Sequence, residues 1–164
     1  MIAIIVGILI LPLIIVISIL ILLESKGGVI FSQKRIGLNK NEFVILKFRT
    51  MENQKITFIG NIIRRLGWDE IPQLINIIKG EMAFVGPRPL TSNDITRLGW
   101  DTKQYGKRWS VKPGITGLAQ LSPICNSRLA MENDLFYVEN KSLGLDLKII
   151  FRSLLIPVLG KQTQ

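Results

Sequence analysis

Two adjacent carboxylates, Asp69 and Glu70, stand at the junction of two apolar-periodic segments, with Arg64 and Arg65 about one helical turn upstream. An Asp-Glu pair ahead of a helix is commonly no more than a helix start, because Asp caps and Glu in the first turn suits the helix dipole. The neighbouring cations open a second reading. A helix N-terminus attracts phosphate through its free N–H groups. A carboxylate held there beside arginines stays ionised and can attack phosphorus. Lys47-Phe48-Arg49 puts two cations two residues apart on a strand, and so on one face. Pro87-Arg88-Pro89 holds one guanidinium between two rings, a stiff mount for a group that binds phosphate as a fork. Each feature has a plain alternative: a helix cap, an exposed basic edge, a rigid loop with an incidental charge. Together they describe a phosphate-handling site.

Composition narrows the chemistry further. The 164 residues contain no histidine, which removes Ser-His and Cys-His nucleophile pairs and histidine metal ligands. Cys125 stands alone, so no disulfide forms within the chain, as suits a reducing compartment. Catalysis must therefore use carboxylates, Lys, Arg, Tyr, hydroxyls or that one thiol. Lys and Arg number 21 against 12 Asp and Glu, a net charge of +9 that suits anionic lipid or phosphate ligands. A nucleic-acid binder would carry an undifferentiated basic surface with interleaved aromatics. Here acids and cations mix at particular loop positions, so nucleic acid is not an expected partner.

These residues need elements to position them. Met1 to Leu23 is apolar except for Ser18, and a helix needs about 20 such residues to cross a bilayer core. No basic residue precedes this run and no small-x-small cleavage site follows, so it reads as a membrane segment rather than a signal peptide. Basic residues begin at Lys26, which places the rest of the chain on the cytoplasmic side. Pro12 kinks or breaks the helix. Kinked helices do span membranes, so the physics of the segment alone favours spanning over a re-entrant turn.

Val29 to Ser32 and Phe43 to Phe48 read as strands of a β-hairpin around the Gly37 to Asn41 turn. A helix follows with Phe58, Ile59, Ile62, Ile63 and Leu66 on one face and Thr57 placed to cap it. A second helix is expected from Glu70 to about Ile78, with Asp69 as N-cap, Pro72 in the first turn and Gly80 beyond the end. Val85 to Pro89 reads as extended, and Lys112 to Ile115 as a turn with Gly114 at positive φ. A C-terminal helix gathers Leu143, Leu147, Ile150, Phe151, Leu154 and Leu155 on a face that packs on the core or lies in a membrane interface. The pentapeptide Arg65 to Asp69 recurs as Arg97 to Asp101, but the likeness stops there and reads as coincidence.

The order of motifs resembles the bacterial sugar transferase family, the small monotopic phosphoglycosyl transferases. The resemblance runs through the apolar segment with Pro12, Phe31 to Gly37, Lys47 to Met51 and Asp69 to Leu74. It continues through Lys79 to Met82, Val85 to Leu90, Lys112 to Gln120 and Leu145 to Lys148. It implies an α/β (α+β) fold: a small membrane-associated domain with a β-hairpin, amphipathic helices and a re-entrant N-terminal helix, against the spanning preference above. Residues 1–23 would form the membrane insert and 24–164 a cytoplasmic catalytic domain. It implies a two-step transfer of a phosphosugar from a UDP-sugar to undecaprenyl phosphate at the bacterial inner membrane, through an aspartyl-phosphosugar, with Mg2+ as cofactor. Membrane lipid is a further expected partner, and homodimerisation is left open. By residue, the resemblance makes Asp69 the nucleophile and metal ligand, and Glu70 its partner in metal or proton handling. It turns Lys47, Arg49 and Arg88 towards phosphates and matches Arg128 loosely to the same role. Arg64 and Arg65 join these cations because of their place beside the pair. Asp134 and Asp146 match further acidic positions. The chain departs from the usual pattern at Leu11-Pro12, where Ser-Pro is common, at Gly67-Trp68, and across Leu121 to Asn133. Two rival readings are a non-catalytic membrane-anchored basic protein and an inactive member of the family.

Overall fold

The computed structural model describes residues 2–122 and 126–159; Cys125 lies outside them. The chain divides into two compact units. The first runs up to Gln33 and resumes over Ile45–Lys79; the second takes Lys34–Val44 and the chain from Gly80 onward.

In the first unit the apolar segment forms two helices, α1 (Ile2–Leu9) and α2 (Leu11–Glu24), bent by 60° at their junction. Pro12 sits in the first turn of α2, where its missing N–H is least costly. Ser18, the one polar side chain before Glu24, donates to the Ile14 carbonyl at 2.7 Å and so satisfies itself within the helix. No single helix among the described residues is long and apolar enough to cross a membrane. Ile17 and Ile21 turn inward to a core shared with Phe48 and Ile63. The rest of both helices is mostly exposed apolar side chains, Ile8, Leu9 and Leu23 among them.

The strands are longer than expected: β1 (Ile30–Ile36) pairs with β2 (Glu42–Phe48). A second hairpin joins β3 (Met51–Glu52) to β4 (Lys55–Ile56). Its tip, Asn53-Gln54, has φ of 48° and 64°, the twist a two-residue turn requires. Neither residue is glycine. Helix α3 (Phe58–Leu66) begins as expected, with the Thr57 side chain accepting from Gly60 N at 3.0 Å. Glu24, the last residue of α2, adds a cap that was not foreseen: its carboxylate accepts from Phe58 N at 2.6 Å and Ile59 N at 2.9 Å. Ile59 and Ile63 face the core, while Phe58 and Ile62 stay exposed.

The second unit is built on β5 (Ala83–Val85) and β6 (Gly114–Thr116), parallel, with Ala83 opposite Gly114 and Val85 opposite Thr116. Gly114 does not adopt positive φ, contrary to expectation. Its glycine is required by crowding, since a Cβ there would run into the Gly86 amide. Helix α5 (Ser92–Leu98) opens with a capping box between Thr91 and Asp94. Thr91 hydrogen bonds, opposed by burial and helped by Arg35 and Arg97, hold the Asp94 carboxyl below its ordinary range. Helix α6 (Ser127–Asn140) is capped by Asn126, and α7 (Leu143–Leu159) follows. Ile95, Trp100, Trp109 and Met131 form one core; Val85, Tyr137 and Ile149 form another.

Of the two readings open for the apolar face of α7, most of that face is the exposed side rather than the core side. Leu145 and Ile149 meet the core, with Ile150 beside them, whereas Leu143, Leu147, Phe151 and Leu154 are each at least 66% exposed. Each copy of the repeated pentapeptide places its glycine at a helix end. Gly67 and Gly99 both end a helix in the left-handed region, at φ of 71° and 67°. The glycine of each copy is thus a helix stop.

Candidate active site

Helix α3 stops at Gly67, and the next residues, Trp68–Glu70, form a single 3-10 turn. The chain then passes Ile71 and Pro72 into α4 (Gln73–Ile78). Asp69 is therefore not the N-cap of α4, and Glu70 does not begin it. Pro72 holds the capping position and no side chain caps this helix. The expected order fails because Pro72 fits the position where a helix needs no amide donor. The acidic pair is left on a tight turn between two helices.

Lys47 faces the pair from β2. Its Nζ donates to Glu70 Oε1 at 2.8 Å and lies 3.9 Å from Asp69 Oδ2. Asp69 is the more sheltered carboxylate, with 14% side-chain exposure against 26% for Glu70. Lys47 is placed by its strand, and the strand is fastened to α4: Leu46 N donates to Oδ1 of Asn76, which is fully buried. Asn76 carries no signal in sequence beyond being a polar residue in an otherwise apolar run.

Arg49 does not share the Lys47 position. It lies past the end of β2, and its Nε donates to the Gly28 carbonyl at 2.8 Å, with Nη2 3.4 Å from the Ile30 carbonyl. A Cβ on Gly27 would come within 3.0 Å of this guanidinium, so Gly27 leaves room for it. Arg64 and Arg65 are exposed on the last turn of α3.

The remaining candidates belong to the second unit. Arg88 is exposed between the buried rings of Pro87 and Pro89. Arg128 is exposed at the start of α6 and paired with Glu132 at 3.0 Å. Asp134 is buried and bound to Arg108, Nε to Oδ2, at 2.8 Å. Burial raises its carboxyl pKa while Arg108 opposes the rise, and burial likewise lowers that of Arg108 against the pull of Asp134. Asp146 accepts from the Tyr137 hydroxyl at 2.8 Å. Burial first, then Asp146, pushes the Tyr137 hydroxyl above its ordinary range. Arg108 had no sequence signal as a buried residue.

No group of three or more acidic, Cys or His side chains that could hold a metal occurs among the described residues. Asp69 and Glu70 alone supply carboxylates at the turn. That donor set suits magnesium, which keeps several waters and takes one or two carboxylates together with substrate phosphates, rather than a metal needing a full protein cage.

A half-buried acidic pair beside one ammonium thus stands on a turn, in an α/β chain that also carries a bent apolar helix pair. The sequence matches the bacterial sugar transferase family over residues 1–160, and the chain belongs to that family. It is similar to the UDP-N-acetylgalactosamine-undecaprenyl-phosphate N-acetylgalactosaminephosphotransferase of Aeromonas hydrophila, at 35% identity over 87% of this chain and 38% of that protein. It is similar to the UDP-glucose:undecaprenyl-phosphate glucose-1-phosphate transferase of Caulobacter vibrioides, at 34% identity over 87% of this chain and 61% of that protein. A third relative is the exopolysaccharide production protein PSS of Rhizobium leguminosarum, 34% identical over 85% of this chain and 82% of its own length. The chain thus spans less than two thirds of the Aeromonas and Caulobacter relatives.

Proposed function

We propose that the chain transfers a phosphosugar from a UDP-sugar to undecaprenyl phosphate, releasing UMP and starting a surface polysaccharide or glycoconjugate. The observation that carries this reading is the Asp69-Glu70 turn with the Lys47 ammonium on both carboxylates, in a member of this family. An Asp69 carboxylate oxygen attacks the sugar-bearing phosphorus; the bond from that phosphorus to UMP breaks and UMP leaves. An oxygen of undecaprenyl phosphate then attacks the same phosphorus, the bond to Asp69 breaks, and the carboxylate is restored. Lys47, beside both carboxylates, offers positive charge to the phosphate being transferred. Glu70 anchors Lys47 and takes the proton if the attacking lipid phosphate carries one. Magnesium, held by Asp69 or Glu70, would neutralise phosphate oxygens.

Among the arginines, Arg64, Arg65 and Arg88 are exposed and best disposed to take substrate phosphates. Arg49 and Arg128 have partners already, at Gly28 and at Glu132, and contribute their remaining donors. Membrane attachment is supported by the bend at Pro12 and by the apolar side chains left exposed on α1, α2 and the outer side of α7. A re-entrant helix with both ends on the cytoplasmic side of the inner membrane is the topology that goes with this reading.

The test is a panel of UDP-sugars incubated with the protein, undecaprenyl phosphate and Mg2+ in detergent or nanodiscs. One sugar should give UMP and a lipid-linked diphosphate sugar. Release of UDP instead would indicate an ordinary glycosyl transferase and reject the proposal.

A further inference from the structure

The loop that carries Arg88 is fixed carbonyl by carbonyl. Pro87 O accepts from Gly114 N at 3.0 Å, and Leu90 O accepts from Ile36 N at 2.8 Å. Between them, Arg88 O accepts from Arg108 Nη2 at 2.7 Å, and Pro89 O from Arg35 Nη1 at 3.3 Å. The two proline rings are buried and the Arg88 side chain alone points out.

Arg108 is the donor whose presence needs explaining. Its side chain is 2% exposed and its Nε is bound to Asp134. Its guanidinium lies over the rings of Trp109 at 4.6 Å and Trp100 at 5.3 Å. A buried ion pair in a core adds little that apolar side chains of the same volume could not supply. What apolar side chains could not do is reach out of the core and hold one chosen carbonyl. The planar fork allows it: Nε is committed to Asp134, which fixes the plane, and Nη2 is thereby aimed at Arg88 O.

We infer that Arg108, locked by Asp134, is a positioning residue that aims Arg88 at a substrate phosphate, with Arg35 as a second tether on the same loop. The inference rests on the proposed role of Arg88. It makes Asp134 part of the support of the Arg88 loop rather than an acid that meets substrate.

A double-mutant cycle separates the two. Arg108→Lys keeps the charge opposite Asp134, but a single ammonium cannot serve both Asp134 and the Arg88 carbonyl. In the native background it should lower kcat/KM about tenfold, since small misplacement of a binding group is costly. In an Arg88→Ala background the same change should lower it less than about twofold, because the group being aimed is already gone. Arg35→Gln, made on a less buried tether, should repeat the pattern and keeps the test alive if Arg108→Lys does not fold. Near-native kcat/KM of Arg88→Ala would remove both the phosphate role of Arg88 and the inference built on it. Impaired Arg88→Ala with losses that simply multiply in the double variants, all folded by circular dichroism, would leave that role standing and overturn the positioning role.

Discussion

The ammonium of Lys47 hydrogen-bonds the Glu70 carboxylate at 2.8 Å, joining a strand residue to a turn residue 23 positions further along the chain. The same ammonium sits 3.9 Å from Asp69. Lys47 is thus a counter-ion of the pair, where the resemblance turns it towards phosphate. Replacing it with methionine, which keeps the stem and removes the charge, should lower kcat/KM by about 10²- to 10³-fold, the usual effect of losing one pre-placed donor. The far-ultraviolet spectrum should be unchanged. Steady-state UMP release within about threefold of the unmutated protein would show that Lys47 only fills space.

Glu24 couples the end of α2 to the start of α3 through two backbone amides. Glu24→Ala leaves both amides without that acceptor and should destabilise the α3 start by about 1–2 kcal/mol. Hydrogen exchange reads this locally: Phe58 and Ile59 amides should exchange faster in the variant. Unchanged exchange would mean that water replaces the carboxylate at no cost.

Gly114 faces the Gly86 backbone where β5 and β6 run side by side. Gly114→Ala should lower stability by about 1–3 kcal/mol, because the strands must move apart. Gly144, whose Cβ would meet nothing within 4 Å, is the control, and alanine there should be neutral or stabilising. Equal thermal midpoints for the two variants would refute the crowding argument.

Topology is tested in cells. In a Cys125→Ser background, a cysteine at position 2 should resist a membrane-impermeant thiol reagent added from outside, because the bend at Pro12 returns the N-terminus to the cytoplasmic side. Pro12→Ala should straighten the segment and expose that cysteine to the reagent. Labelling before the proline is changed would mean that the helix spans.

The elements with a local cause were legible in sequence: the break at Pro12, the Thr57 cap, the first hairpin and the family's motif order. What escaped was decided by tertiary contact. The Asp69 to Pro72 stretch contains two good helix-start signals, and only packing chooses Pro72 over Asp69. Lys47 and Arg49 look equivalent by alternation, yet the strand ends between them and they turn to different partners. The packing side of α7 stayed open in sequence because that helix is apolar over more than one face, and hydrophobicity does not say which side meets protein. Arg108 and Asp134, buried together, carry no periodic signature at all.

The central claim is that Asp69 becomes covalently attached to the phosphosugar. It is tested by incubating the protein with Mg2+ and its cognate UDP-sugar in the absence of any lipid acceptor. UMP should appear at no more than one equivalent per protein, with an intact-mass gain equal to the phosphosugar. Asp69→Asn, which alters one atom on a turn where the residue caps no helix, should fold and give neither signal. UMP release or the mass gain from folded Asp69→Asn would contradict the account and leave Asp69 as a ligand or a counter-charge only.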